Sequence, residues 1–301
     1  MTALGDLVST GVVRQRVPLG PMTTYKVGGN AEYLATVESE LVLEEVVAAA
    51  EAEALDLLVI GRGSNMLVSS GGFNGLAVHL VGDFLDFSIG EGVVIAGAGV
   101  SLPVLARAAT KAGQRGLEFF VGVPGSVGGA VRMNAGCYGA ETSEVLVRAR
   151  VLCSESGVIR EQSPADLELA YRYSNLVFGD VVLSAEFLTS SGPVADGEEL
   201  MREVTKRRRD GQPGGTYNAG SVFKNPEGDR AGRLIDSLEM KGLRVGGASV
   251  SHRHANFIEA GQGATPEDIH ELIVKVRTRV LAETSIDLVP EVILVGFGDE
   301  L

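Results

Sequence analysis

Three short stretches of this 301-residue chain hold side chains whose types and spacing suit acid–base and charge-stabilising chemistry. In Asn218-Ala-Gly220-Ser221-Val-Phe-Lys224-Asn225-Pro226 a hydroxyl, an ammonium and a carboxamide share one glycine-preceded turn. Gly220 leaves room for a ligand near the backbone, Ser221 can give a proton, and Lys224 can sit beside an anion and keep that hydroxyl in an electropositive setting. Tyr171-Arg172-Tyr173-Ser174 adds a permanently charged fork suited to a carboxylate. Pro290-Glu291 opens an apolar run with a carboxylate. Each fragment alone is ordinary turn chemistry; their combination points to a site.

Two glycine-rich segments could hold a phosphorylated cofactor. Gly61-Arg-Gly63-Ser64-Asn65 follows an apolar run, but Met66 stands where a dinucleotide fingerprint needs its third glycine, so this is not a Rossmann loop. No Gly-Lys-Ser/Thr phosphate loop occurs either. Gly122-Val-Pro124-Gly125-Ser126-Val-Gly128-Gly129 offers a backbone able to wrap a pyrophosphate with its own N–H groups, although a plain glycine-rich turn has the same composition. Asn134-Ala-Gly136-Cys-Tyr138-Gly139 follows closely. His252-Arg-His254-Ala-Asn256 is the only histidine cluster; its imidazoles are expected on one strand face, with no nearby cysteine or carboxylate to complete a metal site.

A net charge of −13 argues against a general nucleic-acid surface. The charge is uneven: residues 196–256 carry 11 Lys/Arg against 9 Asp/Glu, so the rest of the chain carries −15. The run Lys206-Arg207-Arg208-Arg209 suits either a solvated helix end or attraction of a diphosphate. Cys137 and Cys153 are read as free thiols. With no run near the roughly 18 apolar residues of a membrane span and no basic-then-apolar N-terminus, a cytoplasmic protein is expected.

The elements that must position these residues mix helix and strand without a regular alternation, which predicts an α+β fold. Leu57–Ile60, Val93–Ala96, Val145–Val147, Arg150–Cys153 and Val181–Phe187 read as strands, and the chain closes with the apolar stretch Val292–Val295. Ser39 is expected to cap a helix with Val42, Leu43, Val46, Val47 and Ala50 inside, and a second helix runs from Pro103 to Ala112. Further helices are expected up to Arg209, around Ala231–Met240, and after Thr265-Pro266-Glu267, where Ile269, Leu272, Ile273, Val276 and Val280 share a face. Ser190–Gly197 reads as a linker, dividing residues 1–192, in two lobes near 1–75 and 76–192, from a smaller α+β domain over 193–301.

Taken in order, these motifs resemble the UDP-N-acetylenolpyruvoylglucosamine reductases from about Thr23 to the C-terminus. The resemblance implies an FAD-binding fold of the vanillyl-alcohol-oxidase type, which holds FAD without a Rossmann unit, followed by the substrate domain. It also implies non-covalent FAD, NADPH as hydride donor, and reduction of an enolpyruvyl UDP-sugar to UDP-N-acetylmuramate for peptidoglycan. Gly61, Gly63, Ser64, Asn65, Gly122, Gly125, Ser126, Gly128, Gly129, Asn134 and Gly136 would line the flavin. Tyr171, Lys224, Asn225 and His254 would contact the UDP-sugar. Arg172 would bind the developing charge, Ser221 donate the proton and Glu291 polarise the carboxyl group. Part of the family carries a tyrosine-bearing loop over the substrate; with no tyrosine between Tyr173 and Tyr217, this chain resembles the loop-less branch. An oxidase of the same flavin fold would instead want a base, often histidine, beside the flavin. A silent nucleotide-sugar binder would have no use for Arg172, Ser221 and Glu291 together.

Overall fold

The computed structural model describes residues 2–154 and 156–298, which divide into two compact units. The first comprises residues up to 15, 33–62 and 75–208; the second comprises 16–32, 63–74 and the residues from 209 onward. Among the described residues no helix is long and apolar enough to cross a membrane.

In the first unit a five-stranded antiparallel sheet runs Val158–Gln162, Leu146–Cys153, Val181–Leu188, Val93–Gly97, Phe87–Ile89. Its buried residues, among them Val94, Ala96, Ala149, Val151, Val182 and Phe187, pack with the amphipathic helices Glu40–Ala52 and Leu102–Lys111. Ser39 caps the first of these, accepting from the Val42 N–H at 3.5 Å. Leu57–Val59 pairs parallel with Phe73–Leu80 and delivers the chain into Gly61. Phe120 is fully buried and meets Phe187 edge-on at 5.5 Å, at the base of the Gly122–Gly129 loop.

The second unit packs the helix Pro266–Thr284 against a three-stranded antiparallel sheet, Arg244–Val245, Ala248–Val250, Ile258–Ala260. Ile269, Leu272, Ile273, Val276 and Val280 are its buried face, as their spacing predicts. Thr265 and Asp268 form a reciprocal capping box at its start. Ile293–Val295 pairs parallel with Met66–Val68.

Three local expectations are corrected. Val145–Val147 and Arg150–Cys153 are not separate strands: one strand runs Leu146–Cys153, interrupted by two register shifts against Val181–Leu188. Ser190–Gly197 is not a free linker, because Ser190–Ser191 pairs with Gln114–Arg115 and the helix Val194–Gly211 begins directly after. His252 to His254 lie in the turn between two hairpin strands, not on a strand face.

Phe120→Ala should cost about 3–5 kcal/mol, because a fully buried ring is removed from a packed aromatic pair. Urea unfolding followed by circular dichroism checks the value.

Candidate active site

In the first unit the glycine loop is fixed by backbone pairing to the segment 98–102. Val127 N–H donates to Val100 at 3.0 Å, Gly128 N–H to Ala98 at 2.8 Å, and Leu102 N–H to the Gly125 carbonyl at 3.1 Å. Ser126 bridges to Ser101, and its hydroxyl does not cap the helix Val127–Arg132 behind it. Gly61 arrives from the Leu57–Val59 strand so close that a Cβ there would lie 2.5 Å from the Ser126 Oγ. Gly61 and Gly129 are both exposed, and a Cβ at Gly129 would lie 3.6 Å from the same Ser126 Oγ. A side chain at Gly61 would collide with the Ser126 hydroxyl, and the exposed glycine backbone that remains suits a phosphorylated, backbone-bound cofactor.

Gly122 and Gly136 are glycines for a different reason. A Cβ at Gly122 would meet the Cys137 Sγ at 2.8 Å, and one at Gly136 would meet Glu141 Cβ at 2.6 Å across the Gly136–Cys137/Ala140–Glu141 hairpin. The Gly122 carbonyl accepts from Arg208 Nη1 at 2.7 Å, a use of the basic run that its sequence does not announce. Burial pushes the Cys137 thiol up to about 11, against the pull of Arg208 and Arg172.

Arg172 sits at φ +54° in a tight turn closed by reciprocal bonds between Ala170 and Tyr173, at 3.2 and 3.0 Å. Its guanidinium lies 5.2 Å from the centre of the Tyr171 ring and donates through Nη2 to the Gly136 carbonyl at 2.9 Å. Asn134, a cofactor candidate from sequence, is fully buried at φ +39°. Its amide donates to the Ala170 carbonyl at 3.0 Å, and its oxygen accepts from the Ser143 N–H at 2.8 Å. Asn134 therefore ties the Arg172 turn to the chain beyond the Gly136 hairpin.

In the second unit Ser221 and Glu291 come together through backbone pairing. Glu291 N–H donates to the Val222 carbonyl at 2.7 Å, Lys224 N–H donates to Val289 at 2.8 Å, and Phe223 stands opposite Pro290. This is the non-hydrogen-bonded register of an antiparallel pair, where the missing N–H of Pro290 breaks no bond. Gly220 adopts φ +78°, and its N–H donates to Asn218 Oδ1 at 3.0 Å, setting Ser221 on the exit of an Asx turn. Both Ser221 and Lys224 are half-buried. Asn225 Oδ1 accepts from the Ala231 N–H at 3.1 Å, supplying a bond that Arg230 does not make at the start of the helix Ala231–Ser237.

Gly63 turns at φ +55° against Met22 and Thr23, and its carbonyl accepts from the Thr24 N–H at 3.0 Å. Ser64, beside it, is half-buried. Asn65 Nδ2 donates to the Glu291 carbonyl at 2.9 Å, while the Asn65 carbonyl accepts from Ile293 N–H at 3.0 Å. His254 Nδ1 accepts from Asn256 N–H at 3.2 Å, and its ring meets Phe257 edge-on at 4.8 Å. Burial, then the Lys241 charge, holds the His254 imidazole below its ordinary pKa.

Sequence reasoning gave Asn256 no role. Its carboxamide is buried and bonds to both backbone groups of Phe223. Only its place beside His254 drew notice, since a side chain that substitutes for a strand leaves no local pattern.

Known proteins are similar to this chain over most of its length. Residues 212–295 match the family described as UDP-N-acetylenolpyruvoylglucosamine reductase, C-terminal domain, and residues 31–163 match an FAD binding domain. A UDP-N-acetylenolpyruvoylglucosamine reductase of Synechococcus sp. (strain RCC307) is 43% identical over 94% of this chain and 94% of its own length. One from Legionella pneumophila (strain Corby) is 37% identical over 96% and 94%. The chain belongs to the UDP-N-acetylenolpyruvoylglucosamine reductase family. The crystal structure of the Thermus caldophilus reductase superposes with a TM-score of 0.82, at 37% identity, over 94% of this chain and 99% of that one. A likeness to Phl p 4.0202, a glucose dehydrogenase, at TM-score 0.50 and 15% identity, covers 64% of this chain and 45% of that one and concerns the fold alone. The family's architecture is thus an α+β FAD-binding fold of the vanillyl-alcohol-oxidase type followed by the reductase C-terminal domain.

Asn134→Leu should destabilise the protein by about 2–4 kcal/mol even without cofactor, because it strips two part-buried backbone groups of their partners and puts a branched side chain in the left-handed region. Urea denaturation of flavin-free protein checks this, and an unchanged midpoint would leave Asn134 to the ligand alone.

Proposed function

We propose that the chain reduces the enolpyruvyl group of UDP-N-acetylglucosamine enolpyruvate to UDP-N-acetylmuramate, with non-covalent FAD and with NADPH as reductant, in the cytoplasm as a step of peptidoglycan synthesis. Membership of a reductase family that names this substrate supports the reading, and the pairing of the Ser221 turn with Glu291 carries it.

Residues of the Gly61–Asn65 and Gly122–Gly129 segments would hold FAD, which would supply to the terminal vinyl carbon a hydride taken from NADPH. The protein must then handle charge building beside the substrate carboxylate. Arg172 binds that charge with a guanidinium already oriented by Gly136 and the Tyr171 ring. Glu291 positions and polarises the carboxyl group. Ser221 delivers its hydroxyl proton to the neighbouring carbon, and Lys224 stabilises the oxygen left behind. A neutral serine is a weak acid, but a carbanionic acceptor is a strong base, so the transfer runs downhill. Tyr171, Lys224, Asn225 and His254 contact the UDP-sugar; burial, then the Lys241 charge, disfavours the cationic form of His254 there. An oxidase of the same fold is not favoured, because the full-length relatives are reductases and the likeness to a glucose dehydrogenase concerns fold alone.

Ser221→Ala separates the proton donor from a turn residue. NADPH should bleach the bound flavin at the normal rate, while reoxidation by the enolpyruvyl sugar nucleotide slows about 100-fold or more. Anaerobic stopped-flow of the two halves reads this, and equal slowing of both, or of neither, removes Ser221 from the reaction.

A further inference from the structure

We infer that Asn256 is a positioning residue for the Ser221–Glu291 pair, acting as a one-residue strand along the back of the Ser221 segment. The inference rests on the reading of that pair given above. In the non-hydrogen-bonded register that sets Phe223 opposite Pro290, the N–H and C=O of Phe223 turn away from the Glu291 segment. A neighbouring strand would normally take them. Here one side chain does so: Asn256 Oδ1 accepts from Phe223 N–H at 3.0 Å, and Asn256 Nδ2 donates to the Phe223 carbonyl at 2.8 Å.

The backbone of Asn256 adds a third bond, its carbonyl accepting from Val222 N–H at 2.9 Å. Asn65 Nδ2 holds the Glu291 carbonyl at 2.9 Å. Each of the two paired segments is thus held by a carboxamide as well as by the other segment. Asn256 is 4% exposed, so water does not replace its bonds to Phe223 when they are removed. Ser221 precedes Phe223 by two residues, and its Oγ inherits any slip of that backbone against Glu291. Proton delivery is sensitive to such a slip, and a displacement of 1 Å can cost about 100-fold in rate.

Asn256→Leu keeps the volume and removes the bonds; Asn256→Asp keeps the acceptor for Phe223 N–H and loses the donor to its carbonyl. Two measurements on folded, FAD-loaded full-length protein test the inference. Hydrogen exchange without substrate should show the Phe223 amide losing protection in Asn256→Leu. Stopped-flow should show normal flavin reduction by NADPH and reoxidation by the enolpyruvyl sugar nucleotide slowed about 10- to 100-fold, with KM for that substrate barely moved and Asn256→Asp intermediate. Where Asn256→Leu fails to fold, Asn256→Asp carries the test through the same split. Wild-type exchange at Phe223, a normal reoxidation rate, or equal slowing of both halves would overturn the inference. Wild-type protein that the enolpyruvyl substrate cannot reoxidise would instead overturn the reading of the site, and this inference with it.

Discussion

The chemistry proposed for the second unit depends on a backbone pairing that spans a proline. Glu291 reaches the Ser221 turn only because Val222 and Lys224 bond to the segment Val289–Glu291 on either side of Pro290. Proline is tolerated at that point because the register asks nothing of its nitrogen. Its fixed φ also limits the conformations open to the residue before Glu291. The side-chain amides of Asn65 and Asn256 complete what a regular sheet would supply. A carboxylate and a hydroxyl from residues seventy apart in number are therefore held by main-chain bonds, which vary far less than the side-chain rotamers.

The first unit applies the same economy around a carbonyl. Gly136 has no room for a side chain within its hairpin, and its oxygen orients the guanidinium of Arg172. Asn134 fixes the turn that carries Arg172 from the other direction. Arg172 and Asn134 both hold positive φ, a strained state for non-glycine residues, and each is maintained by hydrogen bonds to neighbouring backbone.

Much of this was legible in the sequence where one residue type had one physical use. Ser221, Lys224, Arg172 and Glu291 are singled out by residue type, a hydroxyl and an ammonium on the turn after Gly220, a permanently charged fork, and a carboxylate at the head of an apolar run. The helix Pro266–Thr284 could be read from its cap and its five apolar positions. What escaped depended on tertiary partners. Arg148 and Arg150 interrupt the apolar pattern of Leu146–Cys153, yet they belong to one strand because Glu186 and Glu40 receive them and two bulges disturb the alternation. Ser190–Gly197 had a linker's composition because its small residues pack closely: a Cβ at Gly192 would meet the Arg115 side chain at 2.8 Å, and one at Gly197 would meet Thr110 at 2.6 Å. Asn134 and Asn256 are polar residues whose carboxamides serve backbone groups far away in sequence, a use that no local spacing encodes.

The central claim is that a single positioned hydroxyl protonates the substrate carbon beside its carboxylate. Turnover in D2O with NADPH and the enolpyruvyl sugar nucleotide, followed by NMR of the product, tests it most directly, because the Ser221 proton exchanges with solvent before each cycle. The account predicts one deuterium on the carbon bearing the carboxylate, in a single configuration. Deuterium spread over both configurations, or absent from that carbon, would contradict it.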